Sequence, residues 1–196
     1  MKRAVDIVVS ASALVILSPL LLAIALAVRV GVGRPVLFRQ QRPGLDARLF
    51  TLVKFRTMRN ATGPDGQPLP DAERITWLGT KLRALSLDEL PELWNVLRGD
   101  MSLVGPRPLL VQYVDRYSPH QARRHLVRPG LTGLAQVSGR NLSSWPRRLD
   151  MDVWYVDHRT FWLDAQILAK TFATVVRRDG IAADGHATMP EFWGND

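Results

Sequence analysis

The amino-acid sequence predicts an α+β fold, a small globular domain with a β-hairpin and several helices that follows an apolar N-terminal helix. Residues 7–28 form an uncharged apolar run, and Pro35 to Gln41 and Leu49 to Met58 are rich in strand-forming residues. The segments that follow have helical periodicity. A chain of 196 residues can bury one core. We therefore predict an N-terminal membrane segment at 1–34 and one domain at 35–196.

The composition restricts the partners and the chemistry of the protein. Lys and Arg number 26 and Asp and Glu number 18, which gives a formal net charge of +8. Such a charge predicts an anionic partner: a nucleic acid, a phospholipid surface or a phosphorylated substrate. Because the chain has no cysteine, a disulfide framework and a cysteine-ligated metal site are excluded, and the reducing cytoplasm is a compatible location.

The N-terminal apolar run is long enough to reach across a bilayer as a helix. Basic residues lie on both sides of it, Lys2 and Arg3 before and Arg29 after, so the positive-inside rule draws both ends to the cytoplasm. Ser18-Pro19 stands in the middle of the run, where proline removes a backbone hydrogen bond and bends a helix. We predict a re-entrant helix that enters the membrane, turns at Ser18 and Pro19, and leaves on the same side.

The apolar run is also compatible with two different topologies. A helix that is kinked at proline and spans the bilayer would have the same composition. A secretory signal peptide would use Lys2 and Arg3 as its basic region and Ala23-Ile24-Ala25 as its cleavage site, although the apolar run continues past that point.

The remaining elements are predicted from local patterns. PGLD between the two strand-forming segments predicts a hairpin turn, and Asn60 to Pro70 is a polar loop. The segments GDMSLVGPRPLL and VRPGLTGLAQVSGRN are dense in Gly and Pro and predict fixed loops on a binding face. Helices are predicted over Ile75 to Ala84, from Asp88 through Leu97, over Gln112 to His125 as a short connector, and over Met151 to Arg178 as an amphipathic helix at a membrane interface or on the core.

Two adjacent carboxylates, Asp88 and Glu89, precede a proline and an apolar run in the stretch SLDELPEL. Helix capping is the simplest role for them, because Ser-x-x-Glu is the capping-box pattern and Asp is a preferred N-cap. With Asp88 as the cap, Pro91 falls in the first turn, where its missing N–H removes no helical bond. We therefore predict that the helix begins near Asp88.

The same two acids suit phosphoryl chemistry. A carboxylate can attack phosphorus to give an acyl phosphate, and a divalent cation then neutralises the phosphate oxygens. The dipole of a helix N-terminus would keep Asp88 ionised, and Glu89 projects about 100° further round the helix. The pair can therefore address one phosphorus, with Asp88 as the attacking group and both carboxylates as candidate ligands of Mg2+.

Several basic residues are placed to bind phosphate. Lys54 and Arg56 in KFRTM alternate with an aromatic residue and point to one face of a strand. Arg107 and Arg128 stand next to prolines that restrict the backbone, which suits bidentate binding of phosphate. Any one of these residues taken alone has the character of a solvated surface charge. Taken together, and with Arg83 and Arg140 as further candidates, they predict a diphosphate substrate.

The order of these motifs closely resembles that of the bacterial sugar transferases, the small monotopic phosphoglycosyl transferases. The resemblance runs from Lys2 to His186 and includes KFRTM, SLDELPEL, GDMSLVGPRP, RPGLTG and a C-terminal GHAT. It implies a membrane-embedded enzyme that transfers a phospho-sugar from a UDP-sugar to undecaprenyl phosphate, with Mg2+ as cofactor. It also implies a re-entrant helix broken at Ser18-Pro19, and thus a monotopic protein of the bacterial inner (cytoplasmic) membrane with its active site on the cytoplasmic face.

The resemblance implies a role for each candidate residue. Asp88 would attack the β-phosphate of the UDP-sugar, release UMP and carry the phospho-sugar until undecaprenyl phosphate takes it, while Glu89 would help to place Mg2+. Asp164 in FWLD matches a further acid of functional importance. The residues that would bind the phosphates and the nucleotide are Lys54, Arg56, Arg83, Arg107, Arg128 and Arg140.

The resemblance also bears on partners and extent. It implies three partners: membrane lipid, the UDP-sugar and the polyprenyl phosphate. It implies no nucleic-acid partner, and it is compatible with a homodimer. The ending GHATMPEF is similar to that of members that handle acetamido sugars such as di-N-acetylbacillosamine. Larger relatives have additional N-terminal spans and a further domain, so the chain is expected to be the minimal catalytic unit for the first membrane step of glycoconjugate assembly.

Two functions of a different class are compatible with the residues. A membrane-tethered basic module that binds nucleic acid or anionic lipid would use the two acids only as caps, and its binding would weaken with salt. A phosphohydrolase would form the same acyl phosphate and release free sugar phosphate without any polyprenyl phosphate.

Overall fold

The computed structural model describes residues 1–139, 144–177 and 191–194, and it has the mixed helix and sheet composition of the predicted α+β class. The α-helices are α1 Lys2–Ile16, α2 Ser18–Gly31, α3 Asp71–Arg74, α4 Trp77–Ala84, α5 Glu92–Arg98, α6 Pro119–Ala122, α7 Leu134–Val137, α8 Trp145–His158 and α9 Phe161–Arg177. The strands are β1 Leu37–Pro43, β2 Leu49–Phe55, β3 Ser102–Val104 and β4 Gly130–Thr132. Short 3-10 helices cover Leu45–Ala47, Leu87–Glu89, Val111–Arg116 and Arg123–Leu126.

The N-terminal apolar run forms two helices, α1 and α2, that are bent by 63° at Leu17. Pro19 lies in the first turn of α2, where its missing N–H removes no helical bond, and Ser18 Oγ donates to the Val15 carbonyl at 2.7 Å. The bend therefore falls where the Ser-Pro pair predicts it. Within the described residues, no single helix is long and apolar enough to cross a bilayer, whereas the bent pair together meets those limits of length and composition.

The two N-terminal helices expose apolar side chains over much of their length. Val8, Ile16 and Leu22 are exposed, whereas Val28 is buried in a cluster with Phe55 at the end of β2. Large apolar side chains exposed in such number on one pair of helices are typical of a contact with lipid or with another protein.

The predicted hairpin is confirmed, although β1 begins later and β2 ends earlier than predicted. The strands pair antiparallel in a register that places Phe38 opposite Lys54. Asn95 of α5 holds β2 to the core, because its side chain accepts from the Val53 N–H at 3.1 Å and donates to the Thr51 carbonyl at 2.8 Å. This pair of bonds fixes the strand that carries Lys54 against the helix that follows the acid pair.

The two segments rich in Gly and Pro are not only loops, because they contain β3 and β4, which pair in parallel. Glycine allows their backbones to approach closely. A Cβ at Gly130 would lie 2.1 Å from Gly105 N, and one at Gly133 would lie 2.2 Å from Gly105 O. The glycines of both motifs therefore serve backbone packing, which sets the path of the chain into the Pro106-Arg107-Pro108 segment.

The prediction of one helix over Met151 to Arg178 is wrong. The chain forms two helices there, α8 and α9, which are separated by Arg159 and Thr160. The Thr160 hydroxyl accepts from the Leu163 N–H at 3.1 Å, which is the bond of an N-cap. The two helices have different surroundings. α8 buries Tyr155 in the core, whereas α9 exposes large apolar residues such as Phe172.

The connector between Gln112 and His125 is helical in short pieces, as predicted, and leads to an aromatic cluster. Its helix α6 begins with a capping box of Ser118 and Gln121. Phe192 near the C-terminus is buried against the rings of Tyr113, Tyr117 and Trp145, with ring centroids 5.5 to 5.7 Å apart. The described C-terminal residues are therefore attached to the same face of the domain as the connector.

We predict that Gly130→Ala lowers the free energy of unfolding by roughly 2 kcal/mol, because overpacking against rigid backbone has this magnitude. The measurement is the thermal unfolding temperature of the detergent-solubilised chain. Gly63→Ala is the matched control, since the nearest neighbour of its new methyl group is the flexible Asp65 side chain. An unchanged unfolding temperature for Gly130→Ala would contradict the close packing of the two motifs.

Candidate active site

A cleft of about 900 Å3 opens between the hairpin, α4, the Leu87–Glu89 turn and the segment after β3. Its basic lining residues are Arg42, Lys54, Arg56, Arg59, Arg74, Arg83, Arg107 and Arg148, and its acidic ones are Asp71, Asp88, Glu89 and Glu191. The structure thus brings the predicted acid pair together with four of the predicted cations, Lys54, Arg56, Arg83 and Arg107.

The acid pair lies in a 3-10 turn and not at the start of an α-helix, so the predicted helix start near Asp88 is wrong. α5 begins only at Glu92. The backbone bonds of this turn join residues three apart and not four: the Glu89 N–H donates to the Ser86 carbonyl at 3.3 Å and the Leu90 N–H donates to the Leu87 carbonyl at 3.4 Å. Ser86 has a left-handed backbone with φ 53° and makes no side-chain cap.

Asp88 is 8% exposed, and the environment opposes its charge. Burial, and then the neighbouring Glu89 carboxylate, raises the pKa of Asp88, against the attraction of Lys54, Arg83 and Arg107. No hydrogen bond to the Asp88 carboxylate is formed by the part of the chain that the structure describes. Asp88 is thus not at the N-terminus of an α-helix, as the expected dipole effect required, and the nearby cations offset only part of the rise in its pKa.

Glu89 has the opposite environment. Its Oε1 accepts from Lys54 Nζ at 2.8 Å and from Arg107 Nη2 at 2.5 Å. Burial would raise the pKa of Glu89, but the charges and hydrogen bonds of Arg107 and Lys54 overcome it and hold that pKa well below its usual range. The two acids therefore differ: Glu89 is ionised and fixed by two cations, whereas Asp88 is desolvated and without such partners.

Glu92 is a third carboxylate at the base of this cluster that the sequence reasoning missed. It is 2% exposed, and Lys54 Nζ lies 2.9 Å from its Oε1 in an ion pair without hydrogen-bond alignment. Burial raises the pKa of Glu92 to about 7, although Lys54 opposes this shift. In the sequence Glu92 has the pattern of an exposed acid in the first turn of a helix, and only the packing of β2 on α5 buries it.

Arg107 is held from behind by a buried ion pair. Arg124 Nη2 donates to the Arg107 carbonyl at 2.6 Å and to Asp152 Oδ2 at 2.8 Å, and both Arg124 and Asp152 are buried. The Glu89 carboxylate raises the pKa of Arg107, so the guanidinium stays charged. The backbone of Arg107 is therefore held by the bond from Arg124 as well as by the flanking prolines that the sequence analysis named.

Arg83 and Arg56 line the cleft from α4 and from the end of β2. Arg83 Nε donates to Thr57 Oγ1 at 3.0 Å, and Arg56 Nη1 donates to the Arg34 carbonyl at 3.0 Å. α4 can approach this strand end because Gly79 has no side chain: a Cβ there would lie 2.0 Å from the Thr57 carbonyl oxygen. The sequence offered no signal for this contact, which depends on tertiary packing.

Two predicted residues lie elsewhere. Arg128 donates from Nε to the Gly99 carbonyl at 2.9 Å, and Asp164 accepts from Lys2 Nζ at 2.5 Å and from the Tyr155 hydroxyl at 2.7 Å. Both line a second cavity that shares no lining residue with the cleft. They therefore lie apart from the acid pair, and their roles in binding substrate stay predictions.

The predictions for Arg140 and for the GHAT motif with His186 lie outside the described residues.

Residues 1–178 match the family described as bacterial sugar transferase. The chain belongs to this family. A protein of Bacillus subtilis (strain 168) named uncharacterized sugar transferase EpsL is 47% identical over 195 residues, which are 100% of this chain and 96% of that relative. The resemblance predicted from the motifs is thus confirmed, as is the expectation of a transferase.

Other members of the bacterial sugar transferase family carry more specific names. The UDP-glucose:undecaprenyl-phosphate glucose-1-phosphate transferase of Caulobacter vibrioides is 43% identical over 188 residues, 91% of this chain and 70% of the relative. The undecaprenyl-phosphate galactose phosphotransferase of Salmonella typhimurium is 41% identical over 197 residues, 92% of this chain and 42% of the relative. The chain therefore spans almost all of the Bacillus protein but less than half of the Salmonella protein.

The sugar transferase cleft also contains cations that the sequence reasoning missed. Burial, and then the positive charge of Arg107, lowers the pKa of Arg42 to about 10. Burial also lowers the pKa of Arg148 on α8. These residues come from distant parts of the chain, which meet only in the folded domain.

We predict that Lys54→Met destabilises the sugar transferase by about 3 kcal/mol near pH 8, because two buried carboxylates, Glu89 and Glu92, lose their shared cation. Loss of Lys54 raises the pKa of Glu92 further above 7, so the destabilisation shrinks as the pH falls to about 5 and this carboxyl takes a proton. Thermal unfolding at the two pH values measures the effect. Lys81→Met on exposed α4 surface is the control, and equal losses at both pH values would refute the coupling.

We also predict that Asp88→Asn stabilises the folded chain. The pKa of Asp88 is raised on folding, so its contribution to stability is full below the ordinary pKa of about 4 and is lost as the pH rises through the folded pKa. The uncharged amide avoids this loss, so we expect a gain in unfolding temperature that is absent below about pH 4 and reaches roughly 3 °C above the folded pKa. Asp115→Asn, at an exposed carboxylate, should show no such gain. A lower unfolding temperature for Asp88→Asn near pH 8 would contradict the assigned environment.

Proposed function

We propose that this sugar transferase moves a phospho-sugar from a UDP-sugar to undecaprenyl phosphate through an aspartyl phospho-sugar intermediate, giving UMP and a polyprenyl-diphosphate sugar. The observation that carries the proposal is the buried carboxylate of Asp88, which has no hydrogen-bond partner among the described residues and faces a cleft lined by cations. Relatives named for the transfer of sugar phosphates from UDP-sugars to undecaprenyl phosphate support the substrate classes.

The proposed reaction has two displacement steps at one phosphorus. In the first, a carboxylate oxygen of Asp88 bonds to the β-phosphorus of the donor, the bond from that phosphorus to the bridging oxygen breaks, and UMP leaves with the electron pair. In the second, an oxygen of undecaprenyl phosphate bonds to the same phosphorus and the bond to Asp88 breaks. The carboxylate is thereby regenerated, so the cycle needs no further reactant.

The surroundings of Asp88 suit a nucleophile. A desolvated carboxylate has little water to lose before it attacks, and Lys54, Arg83 and Arg107 favour its ionised form. The same cations, with Arg42 and Arg56, offset the charge of the incoming diphosphate. Burial thus makes the carboxylate more reactive, and the cationic lining offsets part of the cost of ionising it.

Glu89 has an electrostatic and positioning role in this scheme. Its carboxylate holds Lys54 and Arg107 at the cleft wall, and its lowered pKa keeps it ionised at neutral pH. Because Arg107 presents several donors in a fixed fork, the group that Glu89 anchors on one side can bind phosphate oxygens on the other.

The acid pair fits a Mg2+ ion that arrives with the diphosphate. Within the described residues, no group of three or more His, Asp or Glu is arranged to hold a metal. Mg2+ is, however, commonly bound by one or two carboxylates together with substrate phosphates. Asp88 and Glu89 Oε2, whose contact with Arg107 Nη1 is a long 3.4 Å, would supply such ligands. When bound, the ion would neutralise the phosphate oxygens and the departing UMP.

We further propose that α1 and α2 form a re-entrant element in the bacterial inner membrane, so that the protein is monotopic and its cleft opens to the cytoplasm. The 63° bend and the exposed apolar faces of both helices support this placement. A polyprenyl chain leaves the bilayer only at about 0.8 kcal/mol per CH2 group. The acceptor phosphate therefore has to be met at the lipid surface.

The decisive experiment incubates the detergent-solubilised chain with Mg2+ and a panel of UDP-sugars, with and without undecaprenyl phosphate. With donor alone, intact-protein mass spectrometry should show addition of one phospho-sugar at Asp88. With acceptor present, UMP should form continuously, and removal of Mg2+ by chelation should stop it. Asp88→Asn should abolish the adduct and lower UMP release at least ~10⁴-fold, as loss of a nucleophile does.

Asp115→Asn is the matched control and should keep full activity, since that carboxylate is exposed and lies outside the cleft lining. Normal turnover by Asp88→Asn would sink the proposed nucleophile. Release of free sugar phosphate without undecaprenyl phosphate would identify a phosphohydrolase instead, and absence of any turnover by folded protein would favour a membrane-tethered binding module.

A further inference from the structure

A second cavity of about 500 Å3 lies where the first turn of α1 meets the junction of α8 and α9. It also borders β3 and the residues that precede β4, and it shares no lining residue with the catalytic cleft. Its charged lining residues are Lys2, Arg3, Asp6, Arg128, Arg159 and Asp164. The cavity is thus a separate polar site at the root of the apolar helix pair.

The two acids of this cavity are already satisfied. Asp164 accepts from Lys2 Nζ and from the Tyr155 hydroxyl. Asp6 Oδ1 accepts from Ser102 Oγ at 3.2 Å and from the Leu103 N–H at 3.1 Å. Neither carboxylate therefore has to be paired with the arginines at the rim.

The arginines at the rim keep most of their donors available. Arg128 and Arg159 are both exposed. Arg128 uses only Nε, which donates to the Gly99 carbonyl, and the Arg159 guanidinium makes no hydrogen bond or ion pair with the described part of the chain. Guanidinium groups with free paired N–H donors bind phosphate oxygens in a bidentate manner. The cavity therefore presents two such groups around one opening.

Apolar surface adjoins this cationic opening. Phe161 lines the cavity and is 70% exposed, and Trp162 beside it is also 70% exposed. On the other side, Val5 and Val8 begin the exposed apolar face of α1. Exposed aromatic rings next to basic residues and an apolar helix are typical of the boundary between lipid head groups and acyl chains.

We propose that Arg128 and Arg159 form a binding site for a lipid phosphate at the root of the re-entrant helices. The inference rests on the proposed membrane placement. The phosphate group would lie between the two guanidiniums, and the acyl or isoprenoid chain would follow the apolar face of α1. Two lipids share this chemistry, an anionic phospholipid of the bilayer and undecaprenyl phosphate, and the experiment separates them.

The test measures binding without turnover. The detergent-solubilised chain is titrated with short-chain phosphatidylglycerol, with undecaprenyl phosphate and with zwitterionic phosphatidylcholine, and the Kd of each is determined. A Lys or Arg near a lipid surface contributes about fivefold in binding, so Arg128→Gln with Arg159→Gln should weaken binding of an anionic lipid by about 25-fold. Arg48→Gln removes an equivalent exposed charge from the hairpin turn and should leave every Kd unchanged.

The outcomes identify the ligand. Weaker binding of undecaprenyl phosphate together with a raised KM for it would assign the site to the acceptor. Weaker binding of phosphatidylglycerol with an unchanged KM for the acceptor would assign it to bilayer phospholipid. Unchanged binding of both anionic lipids, or an equal loss for phosphatidylcholine, would overturn the proposal.

Two further controls keep the test decisive. The Arg159 side chain makes no hydrogen bond or ion pair with the described residues, so the single variant Arg159→Gln should unfold at the temperature of the natural chain. It should still weaken binding of an anionic lipid about fivefold. Because Kd is measured without donor, the result stands even if Asp88 proves not to be the nucleophile. Failure of the phosphate site and failure of the proposed reaction are therefore distinguished.

Discussion

The shared cation Lys54 is the contact on which the site depends. It lies between Glu89 and Glu92, and Arg107 completes the cluster from the segment after β3. Removing such charges from water is costly, and only several partners at once offset that cost. Because Glu89 takes both cations, Asp88 next to it is left buried without a hydrogen-bond partner in the described structure. One acid therefore orders the site, and the other keeps a carboxylate with no hydrogen-bond partner among the described residues.

Features of the sequence that depend on local chemistry were predicted well. The bend at Ser18-Pro19 follows from the backbone of proline, and the hairpin follows from two strand-forming segments around PGLD. The acid pair and the cations Lys54 and Arg107 could be found because short motifs carry them, and the family match confirms the family that these motifs indicated. In each case the deciding residues are close together in the chain.

Features that depend on tertiary contact were not predicted. Glu92 is buried where β2 packs on α5, and Arg128 lies outside the cleft, where its Nε donates to the Gly99 carbonyl. The helical period of Met151 to Arg178 predicted one helix, but the chain breaks between α8 and α9, and the Thr160 hydroxyl caps the second of them. The capping pattern also gave no sign that Ser86 adopts a left-handed backbone and that the acid pair then forms a 3-10 turn.

The fastening of α1 to the domain has a consequence for biogenesis. Lys2 contacts Asp164, 162 residues further along the chain, and Arg3 contacts the last carbonyls of α5. Synthesis proceeds from the N-terminus, so the ribosome releases α1 long before α9 exists. The apolar helix pair therefore waits without these docking partners until the ribosome has made α5 and then α9. The first turn of α1 can therefore be fastened to the domain only after Asp164 has been synthesised.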